Sequence, residues 1–158
     1  MESLSEAAAA RLTAIEHDLE QSWLRYPQIP HPVRMHMAIA VAEIVGNIVE
    51  HGGALRRPVE IHMEFALSET GQVHIHLVDD GDELPADVDL STVRMPDPTA
   101  ERGRGLPLAR AVLEQLSYDR RNAINCWTLI SRVFTPLPAT ELAEKPPPLE
   151  FADEAAAG

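Results

Sequence analysis

Glu43, Asn47 and His51 stand at i, i+4 and i+8, so a helix would line them up as one stripe. A carboxylate in that row can take a proton from an incoming hydroxyl, and an amide oxygen can bind a hard cation. The residues around them are apolar on nearly every side: Met35, Ile39, Val41, Ile44, Val45, Ile48 and Val49. A helix apolar all round belongs inside a domain. A buried acid, amide and imidazole in one row break that pattern. Such breaks mark functional sites, or structural polar rows satisfied by neighbouring backbone.

Two further patterns follow along the chain. Asp79 and Asp80 precede Gly81. A carboxylate at a strand end can accept an amine donor from a purine, and glycine lets backbone approach a flat ring; the plain alternative is an acidic turn. Gly103-Arg104-Gly105-Leu106 stands directly before an apolar helical run. Glycine-rich backbone at a helix N-terminus offers N–H donors and a positive dipole end to phosphate.

The elements that must position these residues are legible. Leu12, Ile15, Leu19 and Leu24 lie near helical spacing, so residues 5–25 read as a helix. Prolines 27, 30 and 32 end it and prime a second helix over about Val33 to His51, closed by Gly52-Gly53. Residues 59–67 and 72–78 alternate apolar and polar about Thr70-Gly71, as a β-hairpin does. One polar face implies helices on one side only, hence an α+β fold built as a two-layer α/β sandwich. Residues 79–104 lack periodicity and carry prolines 85, 96 and 98, so they read as a long loop, mobile without a ligand and able to act as a lid. A third helix is expected over about Leu106 to Leu116, with Leu108, Val112 and Leu116 as its inner row. Tyr118 to Asn122 and Cys126 to Phe134 read as a second hairpin turning at Ala123-Ile124-Asn125. From residue 136 a Pro, acid and Ala composition predicts a disordered tail.

Composition excludes several classes. The chain has 158 residues, enough for one domain with its own core. No stretch approaches the 18 or more apolar residues of a membrane helix, and the acidic, Ala-rich start does not read as a secretory signal. A net charge of −12 argues against direct nucleic-acid binding and fits a basic protein partner. Lys145 is the sole lysine, in the Pro-rich tail, which excludes a P-loop and the common protein-kinase fold. Any phosphate must be held by arginine, backbone amides and a metal. The one cysteine, Cys126, fits a reducing cytoplasm and a buried, inert thiol. His62, His74 and His76 share one face of the first hairpin, but no cysteine or paired carboxylate completes a metal set. His31 and His36 bracket a helix start, where a structural role and a metal role weigh about equally; His17 reads as an exposed helix residue against a faint likeness of Glu16-His17-Asp18-Leu19 to a phosphoacceptor site, whose flanking Arg/Thr/Pro pattern is missing.

The order and local sequences of the three motifs, EIVGNIVEHGG, VDDGDELP and ERGRGLPLAR, resemble the ATPase domain shared by gyrases, heat-shock chaperones and sensor histidine kinases. Within that superfamily the chain resembles the small anti-sigma-factor serine/threonine kinases of bacterial partner switching. The resemblance covers about residues 30–135 and implies a Bergerat-type fold with a mixed sheet. It divides the chain into a helix and linker at 1–29, an ATPase domain at 30–135 and a tail at 136–158. By position, Glu43 resembles the general base, Asn47 the Mg²⁺ ligand and Asp79 the acid that reads the adenine amine, with Gly81 beside it. Gly103, Arg104, Gly105 and Leu106 match the phosphate loop, Thr128 a threonine that helps hold adenine, and His51 the supporting end of the helix motif.

Three departures stand out. Glu83 replaces the second glycine of the Asp-x-Gly-x-Gly form, Cys126-Trp127 occupies the place of the glycine before the last-strand threonine, and the N-terminal helix stands where a first strand is usual. The last departure puts the family's homodimer in question. The resemblance implies a cytoplasmic kinase using ATP and Mg²⁺. Its partners would be a STAS-domain antagonist, phosphorylated on Ser or Thr, and a sigma factor. The alternatives are a non-catalytic ATP- or ADP-binding module that sequesters a partner, and a detached histidine-kinase catalytic domain.

Overall fold

Local chemistry sets the first helix. In the computed structural model, α1 (Leu4–Arg25) turns Ile15 and Leu19 inward, and Tyr26 N still bonds Ser22 O before Pro27 stops the ladder. The structure describes residues 4–51, 53, 57–86, 88–90, 105–138 and 140. Arg34 reaches back from the next helix, its Nε donating to Ile29 O at 2.8 Å and Nη2 to Pro27 O at 3.0 Å. That bridge holds the linker while Ile29 is fully buried beneath it.

Helix α2 (His31–His51) begins with Pro32 in its first turn, where the missing N–H costs nothing. Met37, Ala40, Val41, Ile44, Val45 and Ile48 form its buried face. By length and composition this helix could cross a bilayer, contrary to the expectation that no segment approaches that limit. In the fold it is the core helix, packed against α1, α3 and the sheet. Removing a side chain such as Ile44 from this core costs about 2–5 kcal/mol.

The strands β1 (Ile61–Leu67) and β2 (Val73–Asp79) form the expected hairpin, pairing Leu67 with Val73 and Ile61 with Asp79. Gly71 closes it with φ +83°, and a Cβ there would lie 2.5 Å from Phe134 O. Position 71 therefore admits glycine for two independent reasons. Trp23 meets Phe65 edge-on at 5.5 Å and Tyr26 stacks on it at 5.4 Å, fixing the end of α1 to β1.

Helix α3 (Gly105–Val112) is shorter than expected. Pro107, Ala109 and Leu113 are its buried contacts, and Leu116 belongs instead to β3 (Gln115–Arg121). β4 (Ile124–Ile130) returns through a two-residue turn at Asn122 and Ala123, both at positive φ, 52° and 63°. That pair of left-handed residues is the type I′ pattern, which matches strand twist. The turn therefore lies one residue before the predicted one.

The sheet order is β1-β2-β4-β3. All three pairings are antiparallel, where a mixed sheet was expected. The α+β class and the two layers hold: inward residues Ile75, Leu77, Trp127 and Leu129 are buried, while His62, Glu64 and His76 on the other face are exposed. Past β4 the chain stays anchored, with Ser131 N bonded to Val73 O and Leu137 N to Gln28 O. Residues 139 and 141–158, most of the expected tail, lie outside the described residues.

Candidate functional site

β2 delivers Asp79 to the inner layer, where it is 2% exposed. A carboxylate so placed must be satisfied by donors. Gly81 N donates to its Oδ1 at 2.9 Å and Asn125 Nδ2 to the same oxygen at 2.8 Å. Trp127 Nε1 donates to Oδ2 at 3.1 Å. Burial nonetheless wins and raises the Asp79 pKa above its ordinary 3.8; the bonds from Asn125, Gly81 and Trp127 pull the other way, and the neighbouring Asp80 adds a smaller upward push.

Asn125 organises what surrounds it. Its Nδ2 also reaches Asp82 O at 2.9 Å and Gly81 O at 3.2 Å. Its Oδ1 accepts Tyr118 Oη–H and, at 2.7 Å, Arg120 Nη1. Arg120 Nη1 bonds Gly81 O as well, and Leu84 N donates to Tyr118 Oη at 3.0 Å. The β3–β4 hairpin thus clamps residues 81–84 beside Asp79. The start of the loop, expected to be mobile, is fixed; residues 87 and 91–104 lie outside the described residues.

α2 supplies the opposite wall. Asn47, His51, Asp79, Leu84, Asn125 and Trp127 line one pocket of about 20 Å³, room for about one water. Asp82, Glu83 and Pro85 complete the lining on the side of the loop. The stripe of α2 is less buried than expected. Glu43 and Asn47 are half-buried, and His51 is exposed at the rim, 3.7 Å from Glu50 across an ion-pair geometry. His51 sits in the last turn, past the part of α2 covered by the sheet.

Glu43 lies outside the pocket and faces α3. A Cβ on Gly105 would stand 3.0 Å from Glu43 Oε2, so the carboxylate lies against the first residue of α3. Leu106 is half-buried and packs on the core. Gly103 and Arg104 lie outside the described residues.

Thr128 is not at the site. It alternates to the exposed face of the sheet, where its Oγ1 lies 3.2 Å from His76 Nδ1. The side chains that reach Asp79 from β4 are two of its inward ones, Asn125 and Trp127. The period of two puts them on the same face as Leu129. The signal was present in the sequence: Cys126-Trp127 departs from the family pattern at this point, and the inward phase of the strand decides which residue faces the acid.

An amide oxygen at Asn47, half-buried beside the acceptor Asp79, fits an adenine nucleotide with its cation. Mg²⁺ takes few protein ligands and completes its shell with phosphate and water, so one amide is sufficient. Among the described residues no group of three His, Cys, Asp or Glu side chains forms a metal cage.

Residues 5–131 match the histidine kinase-like ATPase domain family. A serine/threonine-protein kinase of Bordetella bronchiseptica, BtrW, is 31% identical over 101 residues, which is 63% of this chain and 70% of that protein. Among solved structures, the blue-light activated histidine kinase of Erythrobacter litoralis aligns with a TM-score of 0.52 at 17% identity, over 65% of this chain. The match spans 31% of that kinase's length and speaks to the fold alone.

Proposed function

This chain belongs to the histidine kinase-like ATPase family, and from that membership we propose that it is an ATP-dependent serine/threonine protein kinase that also acts as an anti-sigma factor. It would phosphorylate a STAS-domain antagonist in the cytoplasm and sequester a sigma factor. The observation that carries the ATP-binding part is the pairing of a buried, donor-held Asp79 with Asn47 on one pocket. The kinase part is supported by the 31% identity to a protein named a serine/threonine kinase.

The chain's own residues divide the work. Asp79 accepts the purine amine, and its burial keeps water from competing for that bond. Asn47 would hold the Mg²⁺ that neutralises phosphate charge. Glu43 stands against the N-terminus of α3, the end of that helix suited to anions; it would orient an incoming hydroxyl and take its proton. Arg104 and Gly103 are assigned to the phosphates by sequence position.

The water-sized pocket favours a second reading. A chain with so small a pocket can serve as a nucleotide-sensing module that sequesters a partner without transferring phosphate. One assay separates the two. Incubation with γ-labelled ATP, Mg²⁺ and the STAS-domain protein of the native cell is expected to leave acid-stable phosphate on Ser or Thr. ATP binding with no label on the partner overturns the kinase reading. Acid-labile label points to phosphohistidine chemistry instead.

A further inference from the structure

A carboxylate offers about four lone-pair sites. On Asp79, Oδ1 is filled by Gly81 N and Asn125 Nδ2, and Oδ2 has one donor, Trp127 Nε1. Among the described residues that leaves one site, on Oδ2, beside the pocket. Both Asp79 and Trp127 are 2% exposed, so solvent does not set the carboxylate's orientation. The two side-chain donors are themselves held. The Trp127 ring packs on Tyr118 at 4.7 Å, tilted by 57°. The Asn125 amide cannot flip, because Tyr118 Oη–H and Arg120 Nη1 both donate to its oxygen. Flipping would set its NH₂ against two donors and its oxygen against Asp79.

We propose that Trp127 and Asn125 are the positioning residues of the purine subsite, holding Asp79 so that a single acceptor remains for one exocyclic amine. This deepens the ATP-binding reading above and rests on it. The ligand class is a heteroaromatic base presenting one N–H donor at this edge, a 6-aminopurine. A base that presents two adjacent donors finds only one acceptor. Tyr118 and Arg120 act one step further out, through Asn125.

The test compares ATP with the triphosphate of purine riboside, which lacks only the 6-amino group, by calorimetry on the whole chain. The wild type is expected to prefer ATP by about tenfold or more, the usual worth of a hydrogen bond to a charged group. Trp127→Phe keeps the ring and removes the N–H. It is expected to shrink that preference several-fold while the affinity for the unsubstituted purine triphosphate changes little. A purely structural role would weaken both nucleotides equally, and an unchanged ratio overturns the proposal while leaving ATP binding intact. Tyr118→Phe, at a half-buried position, gives a second reading should Trp127→Phe not fold. It should shrink the ratio by about two-fold to three-fold, and no change there also overturns the proposal. A wild type that binds both nucleotides equally shows that Asp79 does not read the amine. A wild type that binds neither overturns the ATP-binding reading, and this proposal with it.

Discussion

The two walls of the pocket are built on opposite principles. At the β2–β4 wall, Asp79, Asn125 and Trp127 are each 2% exposed, and their hydrogen bonds close on one another. At the α2 wall, Asn47 is half-buried and His51 is exposed, and Glu43, outside the pocket on the same helix, is half-buried. Where a rigid flat ring must be read, orientation is fixed in advance by packing and bonded neighbours. Where the proposed kinase would bring phosphate, cation and a protein hydroxyl together, the residues stay accessible. The difference predicts that substitutions at the first wall cost stability and binding together, and those at the second cost function alone.

The largest effect belongs to Asp79→Asn. The amide nitrogen of the new side chain would confront donors from Gly81, Asn125 or Trp127. A stability loss of about 2–3 kcal/mol is expected, with ATP affinity reduced at least ten-fold. Denaturant titration and calorimetry check the two halves. Unchanged ATP affinity in a folded variant would break the assignment. Asn125→Ala comes next. It removes one donor from Asp79 and from the carbonyls of Gly81 and Asp82, and the acceptor that Tyr118 and Arg120 share. A loss of about 1–3 kcal/mol is expected, together with faster amide exchange at Gly81 and Leu84.

Acidification sharpens the same contrast. Burial raises the Asp79 pKa above 3.8. The purine amine needs the ionised acid, so ATP affinity should begin to fall at a pH higher than an ordinary carboxylate would dictate. The effect on folding has the opposite sign. A raised folded-state pKa means this group's favourable contribution is present at low pH and is lost as pH rises through that value. Comparing wild type with Asp79→Asn across acid pH, in binding and in unfolding, checks both signs.

The α2 wall should yield smaller numbers. Gly105→Ala brings a Cβ to 3.0 Å from Glu43 Oε2, the free end of a flexible side chain, so stability should change by less than about 1 kcal/mol. Phosphotransfer should fall more than ATP affinity does, because Glu43 is the group displaced. Smallest is His51→Ala: exposed and at the rim, it should shift stability by no more than about 0.5 kcal/mol.

Periodicity made much of this legible. The apolar face of α2, the alternation of the first hairpin and Gly71 each obey one local rule, and each is where it was expected. So is Asp79, because a strand end followed by Gly81 depends on few long-range contacts. The misplacements have a common cause. Leu116 continues the helical spacing of Leu108 and Val112, and only its pairing with Leu129 moves it into a strand. The turn at Asn122-Ala123 places alanine at positive φ, which local preference disfavours. Thr128 was matched by motif, yet strand phase sends it outward and brings Trp127 in. The antiparallel β2–β4 pairing joins segments about 50 residues apart, and no local signal encodes its direction.

The central claim is that Asp79, held by Trp127, reads the base of a bound ATP. The chain has two tryptophans, so its spectrum contains two indole N–H resonances, and Trp23→Phe identifies that of Trp127. Titration with Mg²⁺–ATP followed on that resonance is the most direct measurement. The account predicts a saturating shift of the Trp127 indole signal, absent in Asp79→Asn, at the midpoint given by calorimetry. Calorimetric ATP binding with an unmoved Trp127 resonance would place the nucleotide elsewhere and contradict it.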